Sequence, residues 1–228
     1  MQAFWTSVDD VLRMRGRSVA AAPDRRALIT LVAYAAVFGI AYGAAMGSYA
    51  GVVGGRPWNE LLLQMTYSAL KVPLLLGVTC LVSLPSFYIL TSLVGLRDDF
   101  AASVRAIAAT QAGVAIILAS LAPLTITWYL SSSAYVPAIL FNAAMFALAS
   151  VAAQRLLRGH YRTLIARDPR HRVMMWTWLG LYAFVGIEMG WMLRPFIGNL
   201  GSEVEFVRRE PLDNAYVIVA RLIWSAVR

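Results

Sequence analysis

Long stretches of this sequence carry no charged side chain, and that constrains the fold more than any other feature. The hydrocarbon core of a bilayer is about 30 Å thick, so a helix rising about 1.5 Å per residue crosses it in about 20 residues. Charge-free runs cover residues 27–55, 61–70, 72–96 and 106–154, and the run 173–193 is broken only by Glu188. The run 106–154 holds 49 residues, room for two crossings, and Ser131-Ser132-Ser133 between Pro123 and Pro137 supplies the turn. Five spans are predicted, near 27–50, 72–95, 106–129, 135–154 and 173–193. Lipid cannot hydrogen-bond bare backbone, so each should be helical. Overall composition agrees: 60% of residues are hydrophobic and 14% charged, against about 45–50% and 25% in soluble domains. A disordered chain is excluded, and the composition argues against an ordinary soluble globule. The expected fold is an all-α polytopic membrane helix bundle, five transmembrane helices plus short amphipathic interfacial helices.

Some segments fit no span. Residues 61–70 are too short to cross and read as an interfacial lead-in to the second span. In residues 213–228, Asn214, Arg221, Ser225 and Arg228 fall on one helical face, with Val217, Ala220, Trp224 and Val227 elsewhere. Arg221 would cost about 2.5–3.5 kcal/mol at mid-bilayer, so a surface-lying helix fits better than a sixth span. Phe4, Val8 and Leu12 share a face over residues 2–14, which suits a short membrane-surface helix; the alternative is a frayed, solvated leader. The first span does not read as a signal peptide, because three Asp residues precede it and its apolar run exceeds the usual 7–15. The expected organisation is a cytoplasmic amphipathic leader (1–26), a five-span bundle (27–198), and a periplasmic loop with an interfacial helix (199–228).

The charges record an orientation. Five spans put the termini on opposite sides. One side then holds thirteen basic residues against six acidic, and the other seven against six. The positive-inside rule makes the basic side cytoplasmic, so the N-terminus is expected inside and the C-terminus outside. The net charge of +8 is accounted for without a nucleic-acid partner.

Gly39, Gly43, Gly47, Gly51 and Gly55 recur every fourth residue in the first span, and Gly186 and Gly190 form a weaker pair in the last. Such columns leave grooves where another helix approaches closely. The approaching helix is either another span of the same chain or a partner. Glu188 is the one acidic residue within a clear span, and Lys71, the only lysine, stands at a comparable depth towards the outer face. An intramembrane ionisable group marks a candidate site when a partner can be named. Lys71, Glu188 and Arg194 therefore form a candidate outer-face charge site, to be read either as a proton or ion relay or as a structural ion pair with snorkelling. Arg194 also closes the last span before Pro195 and Gly198, where a stiff exit is expected.

The remaining motifs point away from chemistry. Cys80 is a lone cysteine in an apolar span and reads as packing. His160 and His171 lack companions at metal-ligand spacing and read as solvated loop residues. Asp98-Asp99 reads as a cap for a helix opening at Phe100. No H-E-x-x-H, G-x-S-x-G, P-loop or dinucleotide fingerprint occurs. Neither a catalytic residue, a cofactor site nor a metal site is expected.

Two stretches together carry a resemblance. One is Leu70-Lys71-Val72-Pro73-Leu74-Leu75-Leu76 running on to Leu84-Pro85-Ser86-Phe87-Tyr88. The other is Tyr182-Ala183-Phe184-Val185-Gly186 with Gly190-Trp191 and Leu193-Arg194-Pro195-Phe196-Ile197-Gly198. With Leu118–Leu124 and Asn214-Ala215-Tyr216, their order resembles an uncharacterised family of small bacterial multi-pass membrane proteins over about residues 30–220. Some members carry the label actin-binding WH2 domain-containing. A WH2 segment is a short soluble helix with a linker, whereas the corresponding Leu-Lys-Val here stands at a membrane span. Family members often have Gln where this chain has Glu188, a departure that argues against a relay. There is a fainter likeness in span number to Yip1-type five-span proteins. The resemblance implies the membrane fold and adds little on function.

The expected function is that of a non-enzymatic integral protein of the bacterial inner membrane, a structural or accessory subunit of a larger assembly. The expected partners are the lipid bilayer and another membrane protein or a second copy. The alternative is a small transporter or channel component using Glu188 and Lys71.

Overall fold

The computed structural model describes residues 2–12, 25–198 and 203–207. The described residues form a helical molecule: α1 (Gln2–Leu12), α2 (Arg25–Gly47), α3 (Tyr49–Val53), α4 (Trp58–Leu93), a 3-10 turn (Arg97–Asp99), α5 (Phe100–Ser131), α6 (Tyr135–Arg167) and α7 (Arg170–Met192). Five helices are long and apolar enough to cross a membrane, α2 continuing through α3 as the first and α4 to α7 supplying the rest. They match the five expected spans in number and order. The expected surface helix at 213–228 lies outside the described residues.

α5 is the hub. Over half of its most apolar window is buried inside the protein, about twice the share of any other span. The segment 106–118 explains this: Ala106, Ala109, Ala112, Gly113 and Ala115 keep it thin, so α2 and α6 close on it from two sides. α4 packs on the other side of α2 and carries α7 along its far edge. α6 and α7 meet only sparingly, and α4 and α5 barely touch. The helices therefore ring a central space rather than fill it.

The glycines of α2 set the tightest contact. A Cβ on Gly43 would fall 2.8 Å from the Cα of Ala69 and closer still to the carbonyl oxygen of Ser68. One on Gly47 would fall 2.8 Å from the Cα of Met65. Gly39 has more room, 3.4 Å from Pro73, and Gly51 on α3 faces Leu61. Gly186 and Gly190 of α7 look towards Thr79 and Leu75 of the same helix. Both glycine columns thus face α4 of their own chain. Backbones approach as closely as α2 and α4 do only where side chains are absent, which gains dispersion contact between the two helices.

A buried polar network ties α2, α5 and α6. Tyr42 donates to Asn142 Oδ1 at 3.1 Å, Asn142 Nδ2 donates to the Tyr129 hydroxyl and to Ala138 O at 2.8 Å each, and Tyr129 donates to Met46 O at 3.2 Å. Each member finds a partner, as an apolar interior demands.

Several local expectations are corrected. Residues 61–70 are not a separate interfacial lead-in but the first half of α4, 36 residues and so about 54 Å long. Pro73 and Pro85 sit inside that helix and Pro123 inside α5. α1 is helical as expected, yet Val8 and Val11 are buried against Leu31 and Tyr34 of α2 and Ala109, Ala112 and Ile116 of α5. Its apolar face is therefore turned to the bundle.

The histidines are not solvated loop residues. His160 lies within α6, and His171 in the first turn of α7 is fully buried, its Nε2 donating to Asp99 Oδ2 at 3.1 Å. Arg167 reaches the other oxygen of Asp99 at 3.7 Å, so this carboxylate joins the ends of α5, α6 and α7 and makes no side-chain cap bond to α5. Arg170 binds Val94 O at 2.7 Å and forks onto Asp168, whose carboxyl it pulls down to about 2.

The α2–α4 contact yields a test. Gly43→Ala is expected to cost about 1–3 kcal/mol, the usual range for overpacking, read as a lowered melting temperature of the purified chain in detergent. Gly39→Ala, with its 3.4 Å clearance, should melt close to the parent.

Candidate functional site

The register between α4 and α7 decides what the candidate charge site can be. Gly186 faces Thr79, Gly190 faces Leu75, and the Trp178 ring lies 5.1 Å from that of Phe87. Continuing this antiparallel register puts Lys71 level with Arg194. Glu188 is level with Gly77, about 9 Å along the axis from Lys71. Glu188 also lies about 180° around α7 from the Gly186/Gly190 face that meets α4. The expected Lys71–Glu188 pair is accordingly not among the ion pairs of the described residues; Glu188 is half-buried, and its Oε1 finds no hydrogen-bond partner.

Lys71 has another use. Its side chain is fully buried. Nζ donates to the carbonyl of Pro195 and, at 3.5 Å, to that of Glu205. It also lies 5.3 Å from the Phe206 ring centroid and 6.0 Å from that of Phe196, within cation–π range. Gln64 and Ser68 share this face of α4. Ser68 Oγ donates to Phe196 O at 2.5 Å and Gln64 Nε2 to the same oxygen at 3.3 Å. Tyr135 of α6 donates to Ile197 O at 3.1 Å, and the Tyr67 ring meets Phe206 edge-on at 5.2 Å. Gln64, Ser68 and Lys71 thus form a polar stripe that clasps the segment after α7. Their spacing of four and three was a signal in the sequence, readable as one helical face once residues 61–70 are joined to the second span. Arg194 stacks its guanidinium on Trp191, 3.1 Å from the ring centroid, with Nε donating to Trp191 O at 3.2 Å.

The second feature is a cavity of about 390 Å³ between α4, α5, α6 and α7. It occupies the space left where α4 and α5 barely touch. Thr79, Gln111 and Tyr182 supply polar groups to its wall. The Tyr182 hydroxyl donates to Gln111 Oε1 at 3.0 Å, while the buried Thr79 Oγ1 has no hydrogen-bond partner. Ala147 and Ser150 of α6 and Ala183 and Ile187 of α7 line it and are also exposed, so the mouth lies in the thin α6–α7 seam. None of its lining residues is acidic, basic or histidine. The sequence reading missed this site because threonine, glutamine and tyrosine inside apolar runs look like isolated exceptions. Among the described residues no cluster of His, Cys, Asp and Glu could hold a metal ion.

The clasp generates a prediction. Lys71→Met leaves the Pro195 and Glu205 carbonyls without their donor, a loss of about 1–3 kcal/mol for a buried unsatisfied group. Cleavage by Glu-C after Glu203 or Glu205 should become several-fold faster in Lys71→Met and stay at the parent rate in Glu188→Gln. Equal rates in all three would show that Lys71 holds nothing.

No protein-family model, curated protein or solved structure matches the chain.

Proposed function

We propose that this chain is a non-enzymatic integral protein of the bacterial inner membrane, serving as a structural or accessory subunit of a larger membrane assembly. Its N-terminus is cytoplasmic and its C-terminus periplasmic. The observation that carries the reading is the commitment of Lys71. An ionisable group that binds or relays a solute must change partners, whereas this ammonium is fully buried between two backbone carbonyls and two aromatic faces. Arg194 is likewise stacked within its own segment. Lys71 and Arg194 both act on the chain itself.

Two further features support a subunit role. The glycine columns are turned onto α4, so a membrane partner or a second copy would dock on other faces. α6 runs on from Arg155 to Arg167, about 18 Å, with Arg155, Arg158, Arg162 and Arg167 exposed. This rigid basic arm is a natural contact for a partner on the cytoplasmic side. The bacterial placement follows the resemblance to small bacterial multi-pass proteins, and the orientation follows the charge asymmetry.

One observation favours the second reading, a small transporter or channel component: Glu188 Oε1 is buried without a hydrogen-bond partner. In that reading Glu188 works without Lys71, from which the register separates it.

Purification of the tagged chain from its native membrane in a gentle detergent tests the proposal. Reproducible stoichiometric membrane partners are expected. A lone chain that moves an ion or solute in liposomes, with the flux lost in Glu188→Gln, would instead establish transport. Fusion reporters after Ser132, at Arg167 and at the C-terminus should report outside, inside and outside; a cytoplasmic C-terminus would overturn the orientation.

A further inference from the structure

The cavity among α4, α5, α6 and α7 is distinct from the clasp and asks for its own explanation. On α7 its lining runs from Trp178 to Ile187, a rise of about 14 Å, so it lies well inside the apolar length of the bundle. One end is closed by Trp178 packed on Phe87 and by Leu157. The mouth faces sideways through the α6–α7 seam, where the two helices meet only sparingly. Its volume falls within the range of small-molecule sites, about 300–1,000 Å³.

We propose that this cavity binds an uncharged, bilayer-soluble molecule that enters sideways from the membrane and carries one hydroxyl or carbonyl head on an apolar body. Thr79 lines the cavity and is 1% exposed, and its hydroxyl, covered by its neighbours, has no hydrogen-bond partner. A buried hydroxyl without a partner costs free energy that a ligand oxygen would recover. The Tyr182–Gln111 pair stands on the same wall and offers a further polar contact. The rest of the wall, with Leu75, Val114, Phe146 and Leu179, suits hydrocarbon. A charged head is disfavoured: no opposite charge lines the cavity, and an isolated charge at this depth is expensive. Water-soluble ligands have no aqueous path through a mouth that opens between two membrane spans.

The full-length chain in lipid nanodiscs, photolabelled with a diazirine derivative of hexadecanol and mapped by mass spectrometry, tests this. Labelling is expected on the cavity walls of α4, α5 and α7, and to fall at least fivefold under excess unlabelled hexadecanol or a decyl-substituted benzoquinone. Which competitor acts more strongly assigns the head as hydroxyl or carbonyl; competition by neither overturns the proposal. Diazirine-labelled hexadecyl sulfate, a permanent anion, should not label the walls, and equal labelling would overturn the selectivity for an uncharged head. Ser150→Trp and Ala183→Trp place a ring at the exposed mouth and should abolish wall labelling. Thr79→Val should weaken competition about tenfold while melting no lower than the parent, since the lost hydroxyl has no partner in the empty cavity. A Thr79→Val protein that melts lower but competes normally would make Thr79 a packing residue. Wall labelling no stronger than that of the exposed Ile29 and Val32 on α2, or unchanged in both mouth variants, would show ordinary lipid contact only.

Discussion

Gly43 and Gly47 let α2 lie against the backbone of α4 at Met65, Ser68 and Ala69, and the remaining helices take their places around that contact. With α2 fixed on one side of α4, the Thr79 and Leu75 side is left for Gly186 and Gly190 of α7. α5, kept thin by its alanines, fits against the opposite side of α2 and receives α6. The ring is then complete except at its thinnest seam, between α6 and α7. The α2–α4 contact is tight, the α7 glycines meet α4 at ordinary van der Waals distance, and the cavity lies where α4 and α5 barely touch.

The polar residues divide by what they satisfy. Asn142 with its two tyrosines joins three helices, Asp99 joins three helix ends, and Lys71 with Ser68 and Gln64 fastens the segment after α7. In each case the polar side chain is answered from another helix or segment of the same chain. Thr79 Oγ1 and Glu188 Oε1 are buried polar atoms left out of those arrangements. Thr79 lines the cavity proposed to take a ligand, and Glu188 is the group on which the transport reading rests. Gln64 Oε1 of the clasp and His171 Nδ1 beside Asp99 are left without a partner as well, so a missing partner alone does not mark a functional group.

Much of the architecture was legible because hydrocarbon thickness and charge-free length are directly comparable. The five spans and the Ser131–Ser133 turn follow from that comparison alone. Lys71 shows where that comparison ends: a charge reads as the limit of a span, whereas carbonyls from residues far along the chain allow the helix to continue past it. The Lys71–Glu188 pair failed for a related reason. Depth can be counted from sequence, but the face a residue presents to a neighbouring helix depends on which helices touch, and Glu188 lies opposite the glycine face that meets α4. His171 shows the same limit, since its burial depends on Asp99, 72 positions earlier. The alternation of apolar and polar residues does not encode such distant partners.

The central claim is that the outer polar groups bind the chain to itself, with the segment after α7 folded back onto α4. Tyr67 and Phe206, whose rings lie 5.2 Å apart, report on it directly. Cysteines at these two positions, on a Cys80→Ser background and treated with a short bismaleimide in native membranes, should link within one chain. They should then survive as a monomer band whose Glu-C fragments stay joined. Links between chains, or no link where each cysteine reacts singly, would contradict it.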